Sequence, residues 1–176
     1  MKKSMFKIIK LLFILLIIAG IATFLIKNVA ILLQQKNDDD KKTDLLLIQA
    51  KVKLIKGKSD VNSNTDEYIA LKASESNNED IKEFLRNIQI LDSDFEKYYI
   101  LSYQDFEKMG IVSELKNIED NNYIVNYENA EVIYVKGVNI DNELKYKLSE
   151  IITKEEEKKW ILYNRIEVDK WKKKNY

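Results

Sequence analysis

The hydrophobic pattern of the chain begins with one long apolar run near the N-terminus. No charged side chain stands between Leu11 and Ile26, and Ile8 and Ile9 extend the run if the side chain of Lys10 reaches back toward lipid headgroups. The nineteen residues from Ile8 to Ile26 would span about 28 Å as a helix, which is close to the hydrocarbon thickness of a bilayer. The pattern predicts a single transmembrane helix.

Other interpretations of this run fit its pattern less well. A cleaved secretory signal would place small residues such as Gly20 and Ala22 near the cut, but the run stays apolar through Phe24 to Ile26, where a polar mature start is expected. A buried core helix would need more protein around it than this chain has, and an interfacial helix would need a polar face. The mature protein is therefore expected to keep Met1 to Ile26.

A second helical pattern follows the apolar run and is expected to face a core. Its apolar positions recur at i, i+3, i+7 and i+10: Leu45, Ile48, Val52 and Ile55. No Gly or Pro interrupts the chain from Lys27 to Lys56, so the backbone can remain helical throughout. The polar segment 37–44 leaves two interpretations open. It is either a solvated stretch of one continuous helix or a loop between anchor and domain, and its Asn and Asp residues slightly favour the loop.

Strand patterns cluster in the second half of the chain. Tyr98 to Leu101 is a short run of β-forming residues, and Tyr123 to Tyr127 alternates in the manner of a strand with one buried face. Glu131 to Val135 is β-rich and follows a turn candidate at Glu128 to Ala130, so the two segments predict a hairpin. A third strand is predicted around Leu144 to Leu148, with Leu144, Tyr146 and Leu148 on one face.

Short helices are predicted between and after these strands. Asn77 or Asn78 can cap a helix with one apolar face, formed by Ile81, Phe84, Leu85 and Ile88. Ser102 can cap a helix that ends at Met109, with Gly110 in the left-handed position. Thr153 and Glu156 have the spacing of a capping box, which predicts a terminal helix with Ile161, Val168 and Trp171 on one face.

These patterns together predict an α+β fold, because the strand signals are clustered rather than alternating with helices. The predicted architecture is an N-terminal single transmembrane helix with a helical extension, packed on a small antiparallel β-sheet with short flanking helices. Three regions follow: a basic cytoplasmic N-terminus at 1–10, a transmembrane anchor and helical extension at 11–36, and an extracytoplasmic α+β domain at 37–176.

The charge distribution favours an inside N-terminus. The chain has 29 Lys+Arg and 29 Asp+Glu, but its first 36 residues carry six lysines and no acid, which leaves a formal charge of −6 on the remainder. Four of those lysines precede the apolar run, whereas only Lys27 and Lys36 follow it before Asp38 to Asp40, so the Lys count favours this orientation by the positive-inside rule. The balanced total gives no argument for nucleic acid, so none is expected as a partner.

The composition removes most catalytic chemistry. With no His and no Cys, the chain cannot form an imidazole or thiolate metal site, a Ser-His-Asp triad or a Cys nucleophile. The acidic runs Asp38 to Asp40 and Glu155 to Glu157 lack the alternating ligands and the turn glycine of an EF-hand loop, and are better explained as solvated charge. We predict no catalytic, cofactor-binding or metal-binding residues, no cofactor and no small-molecule substrate. The Tyr residues are expected mainly in cross-strand core pairs.

The order of these parts resembles the type IV pilins and type II secretion pseudopilins, in particular pilin-like membrane proteins of low-GC Gram-positive bacteria. The resemblance lies in the basic apolar start MKKSMFKIIKLLFILLIIAGIATFLI, the amphipathic stretch KTDLLLIQAKVKLIK and the hairpin YIVNYENAEVIYVKG. It implies a membrane helix whose amphipathic continuation packs on a small β-sheet. The family's processing site has Gly before the cut and Glu as the fifth mature residue, where this chain has Met5 and Lys10. Processing is therefore not carried over.

The resemblance implies a function based on protein contacts. The expected protein is a membrane-anchored, non-enzymatic pilin-like or pseudopilin-like component of a cell-envelope apparatus. Its partners would be the lipid bilayer, through the N-terminal helix, and other pilin-like subunits in a homo- or hetero-oligomer. A second hypothesis is a stand-alone single-pass tethered sensory or ligand-binding extracytoplasmic domain. Both place the protein in the cell membrane, with the N-terminus cytoplasmic and the C-terminal domain extracytoplasmic.

Overall fold

The computed structural model describes residues 29–57, 70–118 and 121–162 of the chain. It has an α+β fold, with a five-stranded antiparallel sheet and helices. The chain divides into two units, Met1–Asp39 and Asp40–Tyr176. In the first unit the described residues are 29–39, which are helical, and the sheet belongs to the second unit.

The first helix, α1, occupies all the described residues from 29 to 57, so the segment 37–44 is helix and not loop. The predicted apolar stripe is confirmed, because Leu45, Ile48 and Val52 are fully buried and Ile55 packs against the same core. The helix continues through the polar segment 37–44 because no Gly or Pro interrupts it. Asp44, the last residue of that segment, is buried and accepts hydrogen bonds from the backbone N–H groups of Lys116 and Asn117.

The sheet is an antiparallel meander in which each strand pairs with the next along the chain. Its strands are β1 Leu71–Lys72, β2 Tyr98–Leu101, β3 Tyr123–Asn126, β4 Glu131–Ile140 and β5 Glu143–Lys147. The predicted hairpin is confirmed as β3–β4, with Asn126 opposite Glu131. Strand β1 has no signal in the sequence because it is only two residues long. The predicted third strand is confirmed as β5, except that Leu148 begins the next helix.

The described residues contain four further α-helices. They are α2 Glu79–Asn87, α3 Tyr103–Met109, α4 Leu148–Ile151 and α5 at 154–162, with 3₁₀ helices at Ala73–Glu75 and Asp92–Lys97. The predicted helix caps at Asn78 and Gly110 are confirmed. Asn78 Oδ1 accepts a hydrogen bond from the Ile81 N–H at 3.3 Å, and Gly110 ends α3 in the left-handed region at φ +69°.

The sheet is covered on both faces. Because successive strand residues point to opposite sides, each strand contributes to both cores. On the face toward α1, buried strand residues pack with that helix, α3 and α4; they include Tyr99, Leu101, Tyr123, Val125, Val132 and Tyr134. On the face toward α2, the intervening residues Ile100, Ile124 and Ile133 pack with Ile81 and Leu85. The predicted role of tyrosines in the core is confirmed, because Tyr123 contacts Phe106 and Tyr134 ring to ring at centroid distances of 5.7 and 5.0 Å.

Helix α5 begins with the predicted capping box. Glu156 accepts from the Thr153 N–H at 2.8 Å, and the Glu156 N–H donates to Thr153 Oγ1 at 3.2 Å. The backbone N–H and then the hydroxyl of Thr153 hold the pKa of Glu156 below its usual value. Ile161 is 52% exposed, and it is the neighbouring Trp160 that packs against the core. Val168 and Trp171, predicted to share a face with Ile161, lie outside the described residues.

Hairpin β4–β5 turns through two residues that both have positive φ, Asp141 at +53° and Asn142 at +66°. This is the backbone of a type I′ turn, whose twist matches that of the flanking strands. The register between the strands shifts between Ile133 and Val138, and Gly137 lies inside that irregularity at φ +68°. Gly137 is needed there because its missing Cβ lets the β5 side chains approach the β4 backbone.

We expect Gly137→Ala to lower the free energy of unfolding by roughly 1 to 3 kcal/mol. A Cβ at this position would lie 2.7 Å from Leu144 Cγ and 3.0 Å from Tyr146 Cε1. Gly110→Ala is the matched control, because Gly110 has nearly the same φ but no atom within 4 Å of its Cβ position. Urea unfolding of both variants separates backbone strain from the steric clash. Equal losses of unfolding free energy in the two variants would contradict the close approach of Leu144 and Tyr146 to Gly137.

Candidate functional site

Two surface features of the described residues could support function, and the first is apolar. In the first unit, the side chains of Val29, Ile31, Leu32 and Leu33 are 48 to 63% exposed on the helix. Four large apolar side chains within five residues are unlike a solvated helix, which carries its apolar residues on one buried stripe. Contiguous exposed apolar surface usually marks a contact with protein or membrane.

The predicted anchor Leu11 to Ile26 lies outside the described residues. Among the residues that the structure does describe, no helix is both long enough and apolar enough to cross a membrane.

The second feature is a cleft of about 540 Å³ in the second unit, on the α2 side of β1 and β2. Leu71 and Ile100 pair across these two strands, and their side chains form the apolar floor with Ile81 from α2. The volume lies in the range of small-molecule binding sites, roughly 300 to 1,000 Å³. Two smaller clefts measure about 260 and 160 Å³, below that range.

One wall of the cleft is built by the start of α3. Asp105 is buried, and its Oδ2 accepts from both the backbone N–H and the hydroxyl of Ser102, at 2.9 and 2.6 Å. The ammonium group of Lys108 lies 3.5 Å from Asp105 Oδ1, while its side chain is 62% exposed. The carboxylate is thus already bonded, because it closes the capping box of α3.

Other lining residues immediately precede α2, and their side chains are neutral and polar. The hydroxyl oxygen of Ser76, a buried residue, accepts from the Asn78 N–H at 3.1 Å, so its hydrogen remains to be donated. The side-chain oxygen of Asn78 is used by the cap of α2, so its amide N–H₂ remains as a donor. Asn121 adds a further side-chain amide to the lining. The cleft therefore presents more unused donors than acceptors.

The acidic runs singled out in the sequence do not converge. Within residues 29–57, 70–118 and 121–162, no group of three or more acidic side chains is placed to hold a metal ion. Glu157, from the run Glu155 to Glu157, instead pairs with Lys53 of α1 at 2.7 Å.

Sequence reasoning missed the cleft, although it named three of its residues, Asn78, Ile81 and Ser102. Asn78 and Ser102 were expected only as helix caps, and both do cap helices. Their second role depends on β1, which brings Leu71 opposite Ile100 and has no pattern in the sequence. The charged pair Asp105 and Lys108 has helical i, i+3 spacing. Such pairs are common on solvated helix faces, so the spacing does not indicate a cleft.

Comparison with known proteins finds no match for this chain. No protein-family model matches it, and no curated protein and no solved structure is found to be similar. A function for the chain therefore has to come from its own residues and their geometry.

Proposed function

We propose that the chain is a membrane-anchored, non-enzymatic pilin-like or pseudopilin-like component of a cell-envelope apparatus that acts through protein contacts. The observation that carries the proposal is the change of environment along helical residues 29–57. Apolar side chains are exposed at 29–33, whereas Leu45, Ile48 and Val52 are buried on a small antiparallel sheet. A helix that serves both as anchor and as part of the core of a small α+β domain accounts for both environments.

The anchor in this proposal is Leu11 to Ile26, in a single pass with the N-terminus cytoplasmic and the α+β domain extracytoplasmic. The four lysines before the apolar run, against Lys27 and Lys36 after it, support this orientation. The exposed apolar residues 29–33 follow the anchor closely in sequence. They supply a surface through which other pilin-like subunits could bind, because buried apolar area is the main favourable term in protein association.

Single cysteines test this proposal cleanly, because the chain has no Cys of its own. We expect Leu32→Cys, in the full chain in native membranes, to form disulfide-linked dimers on mild oxidation, since subunits that pack through this helix bring equivalent positions together. Leu91→Cys is the matched control, with Leu32 63% and Leu91 67% exposed. The measurement is the dimer fraction on a non-reducing gel.

The control should remain monomeric, because Leu91 lies in the second unit and not in the apolar segment. Equal dimer yields at the two positions would indicate random collision, and no dimer at Leu32→Cys would contradict packing through the helix. An amine-reactive crosslinker extends the test, because a multi-subunit assembly should give a ladder of bands whereas a monomer should give none.

A second candidate function is a stand-alone tethered sensory or ligand-binding domain, and the 540 Å³ cleft is the observation that favours it. In this case the N-terminal helix is an anchor only, and the site lies among Ser76, Ser102 and Lys108. The crosslinking experiment separates the two candidates, since a tethered domain should stay monomeric at both cysteine positions.

A further inference from the structure

The cleft between α2 and α3 has an uneven supply of hydrogen-bonding groups, which indicates the chemistry of its ligand. The hydroxyl of Ser76 and the amide of Asn78 each retain a donor after their bonds within the domain are made. Lys108 has three N–H donors and uses one toward Asp105. The acceptor capacity of Asp105 is largely taken by Ser102 and Lys108. A ligand that fits these walls must be rich in acceptors.

The charge of the walls limits the ligand further. Among the described residues that line the cleft, Lys108 is the one cation, and Asp105 lies beside it. A phosphate carries nearly two negative charges and is usually met by several cationic or backbone donors, which this cleft does not gather. A carboxylate carries about half that charge and offers two acceptor oxygens, which suits the two N–H donors that Lys108 retains beside Asp105 together with the neutral donors.

The floor requires an apolar part as well. Leu71, Ile81 and Ile100 are all aliphatic and line the same side of the cleft. Ile81 and Ile100 are buried while Leu71 is half exposed, so an aliphatic group seated on them would remove further apolar surface from water. Among the described residues that line the cleft, none is aromatic.

We propose that this cleft binds a monocarboxylate with a short aliphatic body, with the carboxylate near Lys108 and Ser76 and the aliphatic part on Leu71 and Ile100. The inference deepens the second candidate function and rests on it. Two sources share this chemistry: a free aliphatic acid, and the C-terminus of a peptide that ends in an apolar residue. Both present a carboxylate beside a branched or linear hydrocarbon.

Three small probes distinguish these sources, used with the ¹⁵N-labelled full chain in detergent micelles and read by chemical-shift changes. N-acetyl-leucine mimics a peptide C-terminus, 4-methylpentanoate is a free acid of similar body, and N-acetyl-leucinamide lacks the carboxylate. We expect N-acetyl-leucine to bind with a Kd on the order of 1 mM, as its size allows, and the amide to bind at least tenfold more weakly. The shifts should centre on Ser76 and Asn121.

Two variants test the assigned residues. Lys108→Met should weaken N-acetyl-leucine binding about tenfold, the usual effect of losing one charged hydrogen bond, without unfolding the domain because the side chain is 62% exposed. Ser76→Ala should weaken it several-fold by removing the buried donor. Lys145→Met on β5, at the opposite edge of the sheet, is the control and should leave binding unchanged.

Each outcome decides a separate point. Binding of 4-methylpentanoate as tight as that of N-acetyl-leucine supports the free acid, and binding of N-acetyl-leucine alone supports the peptide C-terminus. Equal binding of N-acetyl-leucine and N-acetyl-leucinamide, or an unchanged Kd in Lys108→Met, would contradict recognition of a carboxylate. Either result would still be compatible with a ligand-binding domain. Tighter binding of inorganic phosphate also overturns it. No binding of any probe overturns the carboxylate, whereas the crosslinking experiment decides the second candidate function.

Discussion

Asp44→Ala is expected to lower the free energy of unfolding by about 3 kcal/mol, because it removes a fully buried carboxylate that accepts three part-buried hydrogen bonds. Asp44 is fully buried on α1. Its Oδ1 accepts from the Lys116 N–H at 2.8 Å, and its Oδ2 accepts from the backbone N–H and the side-chain amide of Asn117, at 2.8 and 3.0 Å. One carboxylate therefore satisfies three N–H groups of the segment that precedes β3.

The effect should extend beyond these hydrogen bonds. The carbonyl oxygen of Asn117 accepts from the hydroxyl of Tyr123 at 2.8 Å, and Tyr123 is fully buried in the core toward α1. A displaced Asn117 would leave that hydroxyl without its acceptor. The loss of Asp44 should therefore loosen the contact between the helix and β3 as well as the loop itself.

Denaturant unfolding of the full chain in micelles, followed by tryptophan fluorescence, measures this loss. Asp44→Asn should lower the free energy of unfolding by less than Asp44→Ala, because one acceptor oxygen remains. It should still be destabilising, because the new side-chain N–H₂ faces an N–H donor. Asp40→Ala on the same helix is the control, and it should stay within about 0.5 kcal/mol of the parent, because Asp40 is only partly buried whereas Asp44 is fully buried. A similar small loss at Asp44 would show that water replaces the carboxylate without penalty.

Ile18→Lys is expected to raise the free energy of membrane insertion by roughly 2.5 to 3.5 kcal/mol, the cost of a charged side chain at the centre of a spanning helix. Ile18 stands near the middle of the uncharged run from Leu11 to Ile26. The fraction of protein that resists carbonate extraction from membranes measures the effect. Ile18→Leu is the matched control and should insert like the parent, because it keeps the apolar character.

Protease shaving of intact cells, read by mass spectrometry, tests the orientation and the N-terminus of the same segment. Residues 37–176 should be cleaved from outside, and Met1 to Ile26 should remain with the membrane. A protected C-terminal domain would reverse the orientation. A mature N-terminus at Phe6 would mean that a prepilin-type peptidase accepts Met5 and Lys10, and it would strengthen the pilin-like proposal.

The local features of the fold were predictable from the sequence because each depends on neighbours within a few residues. Asn78 caps α2 through an N–H three residues away, and Gly110 ends α3 because its φ of +69° suits a residue without a Cβ. The β3–β4 hairpin follows from two β-rich runs joined by a short turn. The stripe Leu45, Ile48 and Val52 is equally local, since helix periodicity alone places it on one face.

The tertiary structure decided what depends on residues far apart in the chain. Asp44 belongs to a polar segment that the sequence left open between solvated helix and loop, and its burial follows from donors 72 and 73 residues away. The cleft likewise depends on the pairing of Leu71 with Ile100, through a strand too short to leave a pattern. Sequence periodicity records which face of an element is apolar, whereas a buried carboxylate or a polar wall is stabilised only when folding brings its hydrogen-bond partners into place.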